Sequence, residues 1–137
     1  MLLTKEIPLP GTISIDTTEQ GGHSGNTTVL KKLIVETAIT GDIQVDKTGS
    51  LVIKGKVVGD ITNYGYLNVE ASASIVGTLY NYGKLTLKGS LSEGALYLKS
   101  GSHALIHSQQ MNKITTISSE ANAFVEMISG GGFNVSS

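Results

Sequence analysis

The chain has 137 residues, with ten Lys and no Arg against eleven acidic groups, a formal net charge of −1, seventeen Gly and no Cys. One domain is expected at this length, and the missing basic excess argues against nucleic-acid or polybasic membrane partners. No apolar run approaches the roughly 20 residues of a membrane span, cysteine chemistry is excluded, and charged residues, at 15%, fall well below the roughly 25% of an ordinary soluble domain.

The N-terminal Met-Leu-Leu-Thr-Lys-Glu-Ile-Pro has no basic start, apolar stretch or cleavage site, so no signal peptide is expected. Residues 1–30 read as an extended arm. Pro8 and Pro10 fix their own φ and bias the preceding residue away from helix. Thr12-Ile13-Ser14-Ile15 alternates like a short strand. Thr17 to Thr28 is polar and contains Gly21, Gly22 and Gly25, the composition of a flexible loop.

Residues 31–107 read as the solenoid unit, and its regular core, residues 33–91, follows one rule. The odd positions from Leu33 to Leu91 are aliphatic, Gly or Ala, apart from Thr37, Lys47, Asn63 and Asn81. The even positions from Gln44 to Ser90 hold no Gly and carry the charges and four Tyr. A period of two means extended chain with one face in and one face out. It persists for 59 residues, whereas single strands run to about 5–6. The chain must therefore bend repeatedly while keeping the same side inward.

A second period sits on the first. Gly or Ala recurs at 59, 65, 71, 77, 83, 89 and 95, every six residues. Val58-Gly59-Asp60-Ile61-Thr62-Asn63-Tyr64-Gly65 returns eighteen residues later as Val76-Gly77-Thr78-Leu79-Tyr80-Asn81-Tyr82-Gly83. The expected fold is all-β: a short, single-domain triangular β-solenoid of about eighteen residues per coil and about 3.3 coils. Small residues stand near its corners, where an inward side chain would collide. The rival is an antiparallel meander with turns at Lys47–Ser50, Asn63–Gly65 and Asn81–Gly83. A meander gives no reason for small residues every six.

After Leu91 the parity slips by one: Leu96, Leu98, Ala104 and Ile106 fall on even positions. Residues 108–137 read as an irregular last coil or cap and a tail. Ile117, Ala121, Ala123, Val125 and Met127 lay over Val69, Ala73, Ile75, Gly77 and Leu79 as one more coil. The alternative is a short helix capped by Ser119, with Phe124, Met127 and Ile128 on one face and Gly130 ending it. Gly130–Gly132 reads as a hinge.

Leu51-Val-Ile-Lys-Gly-Lys-Val-Val-Gly-Asp-Ile61, followed by Leu67-Asn-Val-Glu-Ala-Ser-Ala-Ser-Ile-Val-Gly77, resembles the bactofilin β-helix pattern over about residues 38–106. That resemblance implies a non-catalytic, cytoskeleton-like bacterial protein that polymerises end to end.

The candidate core ladder is Ile61, Leu79, Leu67 and Leu85 with the inward amides Asn63 and Asn81, which can pair with each other and with corner backbone, a ligand role being the alternative. Outside, Tyr64 and Tyr82 stack, flanked by Tyr66 and Tyr80 and by Val58 and Val76. This stripe is the candidate interface, for self-association or partner docking, with a sugar ring as the other occupant. Asp42 and Asp60 share a face but lack an Arg or His beside them, so they read as turn carboxylates rather than a glycosidase pair. His103 and His107 lie on one strand face without a third ligand at readable spacing, and His23 lies in the loop. No enzyme, metal or cofactor is expected. The first reading is a self-associating structural protein of a virion, a phage decoration or fibre component bound to its own copies or to a shell protein. A bactofilin-like polymer of the bacterial cytoplasm and a carbohydrate-binding module are the alternatives.

Overall fold

The computed structural model describes residues 11–92, 94–107 and 116–128, all in strands, turns and short connections. Among these residues nineteen strands, numbered in chain order, form three parallel sheets. Sheet A holds β1 (Gly11–Ile13), β4 (Thr27–Val29), β7 (Ile43–Val45), β10 (Ile61–Asn63), β13 (Leu79–Asn81), β16 (Ala95–Leu98) and β18 (Thr116–Ser119). Sheet B holds β2 (Thr17–Glu19), β5 (Lys32–Val35), β8 (Ser50–Ile53), β11 (Tyr66–Val69), β14 (Lys84–Leu87), β17 (His103–His107) and β19 (Phe124–Ile128). Sheet C holds β3 (His23–Ser24), β6 (Ala38–Thr40), β9 (Lys56–Val58), β12 (Ser74–Val76) and β15 (Ser90–Ser92). From β1 to β17 the chain visits A, B and C in turn, which is a three-sided β-solenoid. Seven stacked strands at about 4.8 Å make a rod about 29 Å long.

The core is one continuous column. Leu67 lies between Leu51 and Leu85, and Ile61 lies between Ile43 and Leu79. These side chains are essentially inaccessible to solvent. Along the central strands burial alternates: Ile43 and Val45 are buried and Gln44 is exposed. Alternation puts the inward aliphatic side chains on the shared axis, each beside its equivalents in the adjoining coils.

Corners come in two lengths, and both preserve the alternation. A tight corner spaces inward residues four apart, as from Asn63 to Leu67. A wide corner spaces them six apart, as from Val45 to Leu51, and contains a β-turn. Those turns are closed by Gly49 N–H to Asp46 O (2.8 Å), Ala73 to Glu70 (2.9 Å), Ser102 to Lys99 (3.0 Å) and Ala123 to Glu120 (3.1 Å). Both spacings are even, so parity survives either. The step from Leu91 to Leu96 is five, and this is the physical origin of the parity slip.

The sequence reading underestimates the stack. The segment read as an arm with a flexible loop carries β1 to β4 from Gly11 onward and forms a further coil, with Thr17, Glu19 and Thr27 in the register of Leu33, Val35 and Ile43. Residues 1–10 lie outside the described residues. The rod has about six turns rather than 3.3, and the repeat is not uniformly eighteen: Thr27 to Ile43 is sixteen residues and Ala104 to Val125 is twenty-one. The last coil is strand, not the helix considered after Ser119. Its register also differs from the expected overlay: Ile117 lies over Leu96 in sheet A, and Val125 over Ala104 in sheet B. A wide corner adds two residues to a coil, which takes the sixteen-residue spacing to eighteen. The Gly130–Gly132 hinge lies outside the described residues.

Polar residues at inward positions hide the first coil in the sequence. Glu19 is wholly buried and caps a corner. One carboxylate oxygen accepts from the N–H of Thr37 (2.8 Å) and of Ala38 (3.2 Å), and the other from Gly22 (2.7 Å). Glu19→Ala strands these donors, at about 1–3 kcal/mol for each one left without water. Urea denaturation should show it losing at least about 2 kcal/mol, and Glu19→Gln, which keeps an acceptor, losing less.

Candidate functional site

The structure places Asn63 and Asn81 opposite each other and fully buried in sheet A. Asn63 Nδ2 donates to Asn81 Oδ1 (2.8 Å) and to the Lys84 carbonyl (2.8 Å), and Asn63 Oδ1 accepts from Gly65 N–H (3.1 Å). Asn81 Nδ2 donates to the carbonyls of Gly83 and His103, both at 3.2 Å. The amides satisfy the tight Asn-Tyr-Gly corners. In the neighbouring coils, where the corner is wide, Val45 and Leu98 take their place. This amide pair is structural machinery, and it fixes the direction of the tyrosine that follows each Asn.

Tyr64 and Tyr82 stack along the rod at the corner between sheets A and B, with ring centroids 4.8 Å apart and planes at 25°. Both are exposed, Tyr64 at 36% and Tyr82 at 40%. Tyr80, two residues before Tyr82, stands on the outer face of sheet A and stacks on Tyr97 at 5.2 Å and 11°. Lys99 extends the first column: its Nζ lies 5.7 Å from the Tyr82 ring centroid and 3.1 Å from Glu120 Oε2. Two adjacent columns therefore carry four tyrosines and one ammonium group. Tyr97 escapes a reading by odd and even positions because it follows the parity slip. Aligning Tyr97-Leu98-Lys99 with Tyr80-Asn81-Tyr82 after the slip would have found it.

The remaining members of the expected stripe stand elsewhere. Val58 and Val76 pair in sheet C, beyond the opposite edge of sheet A. Tyr66 opens β11 in sheet B, between Ser50 and Lys84, beside a shallow groove of about 240 Å³ that His103 also lines. The six side chains are thus spread over three sheets, and only Tyr64, Tyr80 and Tyr82 join one patch. His103 packs edge-on against Phe124 at 4.5 Å. Among the described residues, His, Asp and Glu do not gather in threes at a metal-binding distance.

Asp42 and Asp60 belong to a column at the corner between sheets C and A. Asn26 Oδ1 accepts from Asp42 N–H, Asp42 Oδ1 from Asp60 N–H, and Asp60 Oδ1 from Thr78 N–H, each at 2.9 Å. Each side chain holds the next coil's backbone, and each follows a positive-φ glycine. Beside this column, on sheet A, runs a groove of about 360 Å³ reaching from Asn26 to Tyr80.

Among the described residues, the Lys99–Glu120 pair is the site with clear electrostatic perturbation. The Ser100 N–H and then the Lys99 ammonium hold Glu120 below the usual carboxylate range, and the hydrogen bond to Glu120 holds Lys99 above the usual lysine value. A carboxyl lowered by folding stabilises above its unfolded pKa and loses that contribution as pH falls through its folded value. A raised lysine contributes below its unfolded pKa and loses it as pH rises through its folded value. The pair is therefore intact across the neutral range. Glu120 is exposed and Lys99 only partly covered, so Glu120→Gln should lower the thermal midpoint only slightly at neutral pH, and the gap should close in acid below the Glu120 value; paired melts across pH check this.

No protein-family profile matches the chain, and no curated protein or solved structure is detectably similar to it.

Proposed function

We propose that this protein is a non-catalytic structural component that assembles through the outside of its solenoid, as a decoration or fibre-type part of a virion. The exposed, stacked pair Tyr64–Tyr82 carries this reading. Exposed aromatic side chains held rigid along two coils lose little conformational entropy on docking, and tyrosine is favoured at interface cores. Low charge and twenty-nine Ser and Thr are consistent with a packed protein shell.

A second reading, a bactofilin-like polymer built end to end, is favoured by the asymmetry of the rod. In the first coil Ile13 is fully buried; in the last, Val125, in the register of the buried Ala104, is 37% exposed, and Phe124 beside it 53%. Light scattering and electron microscopy separate the two. Discrete oligomers that Tyr64→Ala with Tyr82→Ala converts to monomers support lateral assembly. Unbranched filaments that persist in that variant and dissolve in Val125→Lys support the polymer. A wild-type chain that is monomeric at high concentration and without a capsid partner contradicts both.

A further inference from the structure

We infer that the outer face of sheet A is a binding groove for a neutral polysaccharide chain lying along the rod axis. The inference is distinct from the assembly reading: its column runs along sheet A, whereas the Tyr64–Tyr82 stack stands at the corner between sheets A and B, and only Tyr80 belongs to both the groove and that patch. The outward residue at the centre of each sheet-A strand forms a column along the whole rod. From β1 to β18 that column is Thr12, Thr28, Gln44, Thr62, Tyr80, Tyr97 and Ser118. Every member carries a hydroxyl or an amide, and none is charged. The equivalent column of sheet B is Thr18, Ile34, Val52, Asn68, Thr86, Leu105 and Glu126, which is interrupted by aliphatic side chains and ends in a charge.

The groove runs beside this column, and its chemistry narrows the occupant. Its only ionised lining groups are Asp42 and Asp60, so nucleic acids, phosphates and acidic glycans are repelled. Its floor of Thr28, Gln44 and Thr62 offers hydrogen bonds rather than apolar area, which disfavours lipid and apolar peptide. What remains is a ligand rich in neutral hydroxyl donors and acceptors. Each carboxylate uses one oxygen on the next coil's backbone. At one end the groove meets Tyr80, whose ring is braced by Tyr97. A braced aromatic ring beside carboxylate acceptors suits a pyranose: the ring face takes the C–H side and the acceptors take the hydroxyls. The repeat of about 4.8 Å between coils places a hydroxyl or amide group at each step along the groove.

The test uses the full chain and neutral hexasaccharides of β-1,4-glucose, β-1,3-glucose, α-1,4-glucose and N-acetylglucosamine, followed by amide NMR. The expected result is saturable shifts at Thr28, Gln44, Thr62 and Tyr80 with at least one of them. Tyr80→Ala should weaken that binding at least tenfold while the protein still unfolds cooperatively, with the modest fall in thermal midpoint expected from losing the stack on Tyr97. Asp42→Asn with Asp60→Asn should weaken it while the fold is kept, because Asn26 already makes the same backbone contact through an amide oxygen. No shift with any of the four overturns the proposal. So do shifts confined to Tyr64 and Tyr82, and so does binding that requires added calcium and survives Tyr80→Ala. Loss of assembly in the Tyr64→Ala, Tyr82→Ala variant with glycan shifts unchanged separates the two functions.

Discussion

Leu85→Asp should leave the chain without a cooperative unfolding transition, whereas Thr86→Asp, one residue on, should fold. Leu85 is 2% exposed and sits between Leu67 and Ala104 on the axis. A carboxylate there has neither a counter-ion nor water, and burying an unpaired charge costs more than the roughly 5–15 kcal/mol that holds a small domain together. Leu85→Ala grades the same site at about 2–5 kcal/mol. Thr86 points outward, where a new charge costs under about 1 kcal/mol. Circular-dichroism melts of the three variants read the inward rule residue by residue. Equal damage from Leu85→Asp and Thr86→Asp would remove that rule.

Gly59→Ala should destabilise by about 3 kcal/mol or more although it adds only a methyl group. Gly59 has φ of +151°, and a Cβ there would run into the Gly41 carbonyl oxygen, one coil below. Gly77 repeats the collision against Gly59, so the column sets the closest approach between coils. Gly21 is the control. Its φ is +92° and nothing lies within 4 Å of where a methyl group would stand. Gly21→Ala should therefore cost only the backbone strain, about 1–2 kcal/mol. Urea midpoints of the two variants separate strain from collision.

The columns were legible because even-numbered corners keep inward residues on one parity. From Leu33 to Leu91 the alternation and the Val58/Val76 repeat suffice to place Ile61 over Leu79 and Leu67 over Leu85. The first coil was not legible because its inward positions include Thr17, Glu19 and Thr27, which a hydropathy pattern takes for loop although Glu19 is satisfied by backbone donors. The last coil was misaligned because the spacing between equivalent residues grows to nineteen from Leu85 to Ala104 and to twenty-one from Ala104 to Val125. For the site, the Tyr64–Tyr82 stack follows from the repeat, but the separation of Val58 from Tyr66 by a whole sheet is set by where the corners fall. The groove was hidden because Thr28, Gln44 and Thr62 are ordinary one at a time and form a surface only when stacked.

Scalar couplings across backbone hydrogen bonds test the parallel, in-register stack most directly. The amide nitrogen of Tyr82 should couple to the Asn63 carbonyl carbon, that of Tyr64 to Val45, and that of Ile61 to Thr78. In a parallel stack the residue numbers of successive coupled pairs rise together along a sheet. Pairs in which one number rises as the other falls are the signature of antiparallel hairpins, and finding them here would contradict the solenoid and every surface built on it.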